Sequence, residues 1–160
     1  MSIISSEKTS GADNQQERLK FGYWISGFTD GEGCFSVAVI NNKTTKFGKQ
    51  IFPEFVVTQG EKSLSALKKI NKFFGCGNIF VNKRYDNHNE NLYRYCVRSL
   101  QELDSKIIPF FEKYPLHTYK QNDFFIFKKV VKAMIQKEHL SESGRKKILK
   151  LISKMNRKKR

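Results

Sequence analysis

Two carboxylates offer the clearest chemistry in the chain. Asp30 and Glu32 stand in the run Asp30-Gly31-Glu32-Gly33, each beside a glycine. Carboxylate oxygens suit a hard divalent cation such as Mg²⁺. A bare Asp-Gly-Glu-Gly is also an ordinary helix-ending turn with two solvated acids, so the residues before it must decide. There, Ser26 and Gly27 interrupt the otherwise apolar stretch Trp24 to Thr29. Glycine inside a helix costs about 1 kcal/mol relative to alanine, so a second helix approaching closely would explain it. Other chemistry is sparse. Cys34, Cys76 and Cys96 are too widely spaced for a zinc ribbon or a redox pair and read as reduced thiols. His88, His117 and His139 are isolated, and Asn87-His88-Asn89 reads as a polar hairpin turn.

The elements that must position these acids follow from periodicity. Residues 1–16 are polar and read as a flexible arm. From Glu17 to Thr29 the spacing of Leu19, Phe21, Trp24, Ile25 and Phe28 predicts a helix, ending near Asp30–Gly33 where two glycines relax the backbone. Cys34–Asn41 alternates, with Phe35, Val37 and Val39 on one face and Ser36, Ala38 and Ile40 on the other. Gln50–Gln59 is a second strand, in which Pro53 suggests an edge or a bulge. Lys62–Phe74 is helical and is broken by Gly75-Cys76-Gly77. Asn78–Arg84 and Leu92–Arg98 form a second hairpin around a polar turn at Tyr85–Asn91. Helices follow at Leu100–Phe111, Lys120–Gln136 (stripe Phe124, Phe127, Val131 and Ile135) and Ser141–Met155, with Ser141 as N-cap. The expected fold is α+β: two hairpins forming a four-stranded antiparallel sheet, covered on one face by helices. The open face would carry Asn78, Phe80, Asn82 and Arg84 on the third strand and Arg94, Cys96 and Arg98 on the fourth. Such groups can read base edges or hold phosphates, or simply be a solvated face.

Charge favours a polyanion. The 160 residues carry 30 Lys and Arg against 15 Asp and Glu, a net +15. Nine of the basic residues and no acid lie between Arg145 and Arg160, which leaves +6 for residues 1–144. The tail Arg157-Lys158-Lys159-Arg160 reads as a solvated end, a phosphate-gripping arm or a localisation signal. With 39% hydrophobic residues the chain has material for a core, and its length fits one domain or two very small ones. No apolar run approaches the roughly 20 residues that span a bilayer, so no membrane partner is expected. Signal and transit peptides are not expected either, given Glu7, Asp13 and Glu17 and no early apolar stretch.

The longer run resolves the choice left open by the acids. Ile25-Ser26-Gly27-Phe28-Thr29-Asp30-Gly31-Glu32-Gly33 resembles, position by position, the signature of the LAGLIDADG homing endonucleases. Ser26 and Thr29 replace commoner apolar residues, and Glu32 keeps the final carboxylate. Phe73-Phe74-Gly75-Cys76-Gly77-Asn78-Ile79 is similar to that family's "FFG-x-GNI" turn. Tyr114-Pro115-Leu116-His117-Thr118-Tyr119-Lys120-Gln121 is similar to its "YPL-x-T-x-KQ", with Asp123-Phe124 and Phe127-Lys128 following at the usual spacing. Lys137-Glu138-His139-Leu140 and Ser153-Lys154-Met155-Asn156 resemble the group I intron-encoded branch.

The resemblance implies an αββαββα fold over residues 17–156, with a DNA-binding saddle and a basic tail at 157–160. It also implies Mg²⁺-dependent cleavage of both strands of a long pseudo-palindromic DNA site. Mn²⁺ is expected to substitute, and Ca²⁺ to bind without cleavage. Glu32 would be the metal-binding acid, with the Gly31 carbonyl beside it. Asp30 would cap or orient a neighbouring helix rather than bind metal. Gln59 would organise waters, and Lys120 would stabilise the phosphate transition state, with Thr118 a competing alignment for that place and Lys62 a possible substitute for an arginine found in some relatives. DNA contacts are expected from Ser36, Ala38, Asn42, Gln50, Asn78, Asn82, Arg84, Arg94 and Arg98. One signature with no second half implies a homodimer, whose seam is expected at Trp24, Ser26, Gly27 and Asp30. Two alternatives share the fold: an RNA-binding maturase acting on intron RNA, and a DNA-binding regulator without chemistry. By family, the setting is intracellular, in a chloroplast or mitochondrion.

Overall fold

The computed structural model describes residues 11–83 and 90–155. Arg84, most of the predicted 85–91 turn, the first ten residues and the 157–160 tail lie outside the described residues.

Helix α1 runs from Gly11 to Glu32, so residues 11–16, expected as part of an arm, are helical. It also extends through Asp30 and Gly31. Neither Gly31 nor Gly33 has a positive φ. Gly33 is required for space instead: a Cβ there would lie 2.5 Å from Thr29 Cγ2 and 2.9 Å from the Thr29 carbonyl oxygen. Strand β1 (Gly33–Asn41) therefore begins directly at the end of the helix.

Strand β2 (Lys49–Gly60) returns antiparallel to β1 and pairs on its other side with β4 (Leu92–Val97), which also pairs with β3 (Asn78–Asn82). The sheet order is β1-β2-β4-β3. Pro53 thus sits in an interior strand, opposite Val37 of β1. Pairing of β2 with β4 begins only at Phe55, so Pro53 is locally at an edge and needs no donor on that side.

Helix α2 (Leu64–Phe74), preceded by a 3₁₀ turn at Glu61–Ser63, ends on Gly75 in the left-handed conformation at φ 59°. The predicted 100–111 helix is one rod in three parts: α3 (Leu100–Glu102), a π turn (Leu103–Ile107) and α4 (Ile108–Lys113). Pro109 supplies the physical reason, since it has no N–H and its ring would strike a carbonyl one turn back. Helices α5 (Lys120–Ile135) and α6 (Glu142–Ile152) complete the chain, with a 3₁₀ turn at Glu138–Leu140 between them. The Ser141 side chain accepts from the Gly144 amide at 3.1 Å, as expected of the cap.

All helices with core residues pack on one face of the sheet. Phe35 of β1 is its centre, with ring centroids 5.1–5.3 Å from Phe55, Phe111, Phe124 and Phe127. Ile25, Leu67, Ile70, Tyr95, Val97 and Val131 are buried around it. On α5 the buried stripe runs through Val130, Val131 and Met134, and Ile135, expected inside, is exposed. Cys76 and Cys96 are buried free thiols, and Cys34 is exposed.

Candidate active site and nucleic-acid face

The acids occupy the last turn of α1 rather than a loop beyond it. Four carbonyls are unsatisfied at a helix C-terminus, and the helix dipole is negative there, so two acids add repulsion. Three residues of the 114–121 segment offset this. Lys120 Nζ donates to the carbonyl oxygens of Thr29 (3.0 Å) and Asp30 (2.8 Å). The Asp30 carboxylate accepts from the amides of His117 (2.6 Å) and Thr118 (3.1 Å) and from the Thr118 hydroxyl (2.6 Å). Partial burial opposes ionisation of Asp30, but the Thr118 hydroxyl and the two amides outweigh it and hold its pKa below the usual carboxylate value.

A third tie lies one turn earlier. The Ser26 hydroxyl is 3.0 Å from the carbonyl oxygens of both Tyr114 and Pro115. The segment closes on itself through the Leu116 amide, which donates to Gln121 Oε1 at 3.0 Å. The two motifs most distinctive in the sequence, 88 residues apart at Ser26 and Tyr114, therefore form one unit.

Two of the expected seam residues are engaged within their own protomer. Ser26 is only 3% exposed and is engaged inside its own protomer. Asp30 is bonded to its own 117–118 turn. Trp24 remains 40% exposed, stacked between Phe21 and Phe28 at 5.1 and 5.0 Å. Gly27 is exposed, and a Cβ there would meet nothing within 4 Å. Tyr23, at 65% exposed, shares this outer stripe and was not singled out from the sequence.

Glu32 is exposed at the end of the helix, next to Gly31. Lys120 and Thr118 are separated by function: Thr118 holds Asp30, and Lys120 reaches the turn that ends in Glu32. Gln59 is half-buried in register with Tyr93, and Lys62 is exposed with its amide donating to Glu90. Among the described residues no hydrogen bond joins either to the Asp30–Lys120 cluster. Nor do they contain a group of three His, Cys, Asp or Glu side chains able to hold a metal ion.

The open face of the sheet follows the predicted parity. Ser36 lies opposite Glu54, Ala38 opposite Phe52 and Ile40 opposite Gln50. Arg94 pairs with Thr58 and Phe80, Asn78 with Cys96, and Asn82 with Leu92. Asn42 is occupied with its own loop: it donates to Gln50 Oε1 at 3.0 Å and accepts from the Thr44 amide and hydroxyl. Glu54, missed in the sequence, is the surprise of this face. It is 8% exposed; its Oε1 accepts from Arg94 Nη2 at 3.1 Å, and its Oε2 accepts from Arg98 Nε. That bond to Glu54 raises the already high pKa of Arg98, with burial a smaller opposing effect. Parity with Ser36 was the available signal.

The chain thus presents a four-stranded antiparallel sheet entered directly from an acid-bearing helix. The family model described as LAGLIDADG endonuclease matches residues 25–131, and the chain belongs to that family. It is 34% identical over 140 residues to probable intron-encoded endonuclease 3 of Neurospora crassa, covering 86% of this chain and 25% of that protein. It therefore spans about a quarter of the length of that relative. The crystal structure of the homing endonuclease I-TnaI matches with TM-score 0.74 and 41% identity, over 84% of this chain and 87% of that one. I-SmaMI bound to uncleaved DNA with calcium ions matches with TM-score 0.76 and 38% identity, over 84% and 44% respectively.

Proposed function

We propose that two copies of this fold act together as a site-specific DNA endonuclease, each using its open sheet face to hold one half-site and its Glu32 to cut one strand. The observation that carries this is the placement of one exposed carboxylate at the negative end of α1, with Lys120 on the same turn. Glu32 and the Gly31 carbonyl are hard oxygen donors at an electronegative helix end, which fits Mg²⁺ and equally Mn²⁺ or Ca²⁺. When bound, such an ion supplies charge stabilisation to the scissile phosphate and lowers the pKa of water. A single carboxylate per chain cannot enclose it, so the remaining ligands would have to come from the phosphates and from a second copy.

The other roles belong to the chain itself. Asp30 and Thr118 hold the end of the helix against the 114–121 segment. Lys120, positioned by two carbonyls, keeps a positive group where phosphate charge develops. Gln59 would order water if the DNA-bound state turns it toward Glu32. The exposed Gly27 and Trp24 stripe is where the second copy packs, because only an outside helix gives that glycine a reason. The match to most of I-TnaI and to under half of I-SmaMI supports a unit that pairs, as a homodimer here. Intron-encoded relatives support an organellar setting. Among the described residues no helix is long and apolar enough to cross a membrane.

The test is cleavage of a DNA library of candidate intron-insertion sites in Mg²⁺, in Mn²⁺, in Ca²⁺ and in EDTA, with light-scattering mass. Expected are a dimer, double-strand breaks with the first two ions, binding alone with Ca²⁺, and a Glu32→Gln variant that binds without cutting. A Glu32→Gln variant that still cuts refutes the assignment. Binding to folded intron RNA without DNA cleavage establishes the maturase alternative instead.

A further inference from the structure

An acid on a surface meant for DNA needs a reason. Glu54 repels phosphate and cancels part of the attraction of the very arginines it touches. Both its oxygens are used, one by Arg94 and one by Arg98, and it is 8% exposed. Arginines recruited only for phosphate affinity need no such partner, because phosphate contacts add affinity without reading sequence.

The arrangement does something different: it fixes one guanidinium. Arg98 is held at Nε by Glu54, and its planar head lies 4.9 Å from the Phe80 ring centroid and 5.8 Å from that of Phe52. The two ring contacts and the bond at Nε leave the two terminal nitrogens as the edge available to DNA. That edge is the fork that pairs with O6 and N7 of guanine in the major groove. Register places Glu54, Phe52 and Phe80 on the uncovered side of the sheet, opposite Ser36, Ala38 and Arg94, and Arg98 joins them from just past the end of β4.

We propose that Arg98 reads one guanine in each half-site, and that Glu54, with Phe80 and Phe52, is the positioning group that makes this reading selective. The inference rests on the DNA-binding reading above. It makes an unusual prediction: loss of Glu54 should strengthen binding to arbitrary DNA while weakening discrimination.

The experiment is selection of binding sites from random duplex DNA in Ca²⁺ by wild type, Glu54→Gln, Arg98→Lys and Phe80→Leu. Each selection is followed by affinity measurements with all four bases at every position. Glu54→Gln keeps shape and volume, and Phe80 is 44% exposed, so neither change threatens the core. Wild type should prefer guanine at one symmetric position by about 5- to 150-fold, the range of one bidentate pair. Glu54→Gln and Arg98→Lys should flatten that position to about 3-fold or less and leave the others unchanged, Phe80→Leu should lie between. Affinity of Glu54→Gln for random DNA should rise. If Glu54→Gln leaves every preference intact, or weakens all positions alike, the proposal is overturned while DNA binding stands. If wild type selects no sequence at all, both readings fall.

Discussion

Replacing Asp30 by Asn tests whether the end of the signature helix is built as described. The carboxylate accepts three hydrogen bonds from a turn 87–88 residues away. Bonds to a charged acceptor contribute about 1.5–3 kcal/mol each when buried, but these are solvent-exposed, so water replaces much of each. Asn retains one acceptor and turns an amide donor toward another donor. The expected net cost is about 2 kcal/mol, measured by urea unfolding at neutral pH. Thr118→Ala should cost about 1 kcal/mol, and the double variant should be less than additive by about 1 kcal/mol, because the two residues share one contact. The pH dependence has a definite sign. Asp30 titrates below its ordinary value of 3.8 in the folded chain, so its contribution is complete above that value. It is lost as pH falls through the lowered folded pKa, and the gap between wild type and Asp30→Asn should close there. Additive single costs, or a gap that widens in acid, would refute this account of the helix end.

Other outcomes follow from the same site. Lys120→Met should cost about 1–2 kcal/mol of stability through the lost helix-end contacts, yet reduce cleavage by about 10²-fold or more; cleavage within threefold of wild type would remove Lys120 from the chemistry. Gly33→Ala, which drives a methyl into Thr29, should destabilise by about 1–3 kcal/mol and depress cleavage more than DNA binding, because it moves the neighbour of Glu32. A Cβ at Gly27 meets nothing within 4 Å in its own protomer, so with Gly27→Leu the melting temperature of the monomer should hold while light scattering shows loss of the dimer. A dimer that survives Gly27→Leu places the seam elsewhere.

Much of this was legible because alternation and helical spacing report burial directly. The parity of β1 separated Phe35 from Ser36 correctly, and Gly75 and Ser141 marked real ends of helices. The end of α1 was legible to within a turn, but that the acids themselves are helical was not. Local propensity favours stopping before Asp30-Gly31, but Lys120 and the 117–118 amides, remote in sequence, satisfy the extra turn. The inward turn of Ser26 was not legible for a related reason. Adjacent helical residues diverge by about 100°, so of two neighbouring small residues only one can face outward, and composition does not say which. Pro53, read as an edge or a bulge, is an edge residue only locally, because β4 pairs with β2 no further than Phe55. Glu54 went unnoticed because its importance lies in two arginines 40 and 44 residues away.

The absence of any linker between Glu32 and Gly33 has a bearing on how such a protein can change its target. The residue that ends the helix and the first residue of the reading surface are consecutive, so the sheet and the acid move as a single lever. Open-face side chains along β1 can be exchanged one at a time and leave the lever undisturbed, which makes drift toward a new recognition sequence an incremental process. An insertion or deletion near the start of that strand is another matter. It would invert the alternation and swing the carboxylate away in the same event, with no slack to absorb either. Lineages diverging from this chain should accordingly vary freely at the open-face positions Ser36, Ala38 and Ile40, keep Phe35 apolar, and conserve the number of residues in the strand.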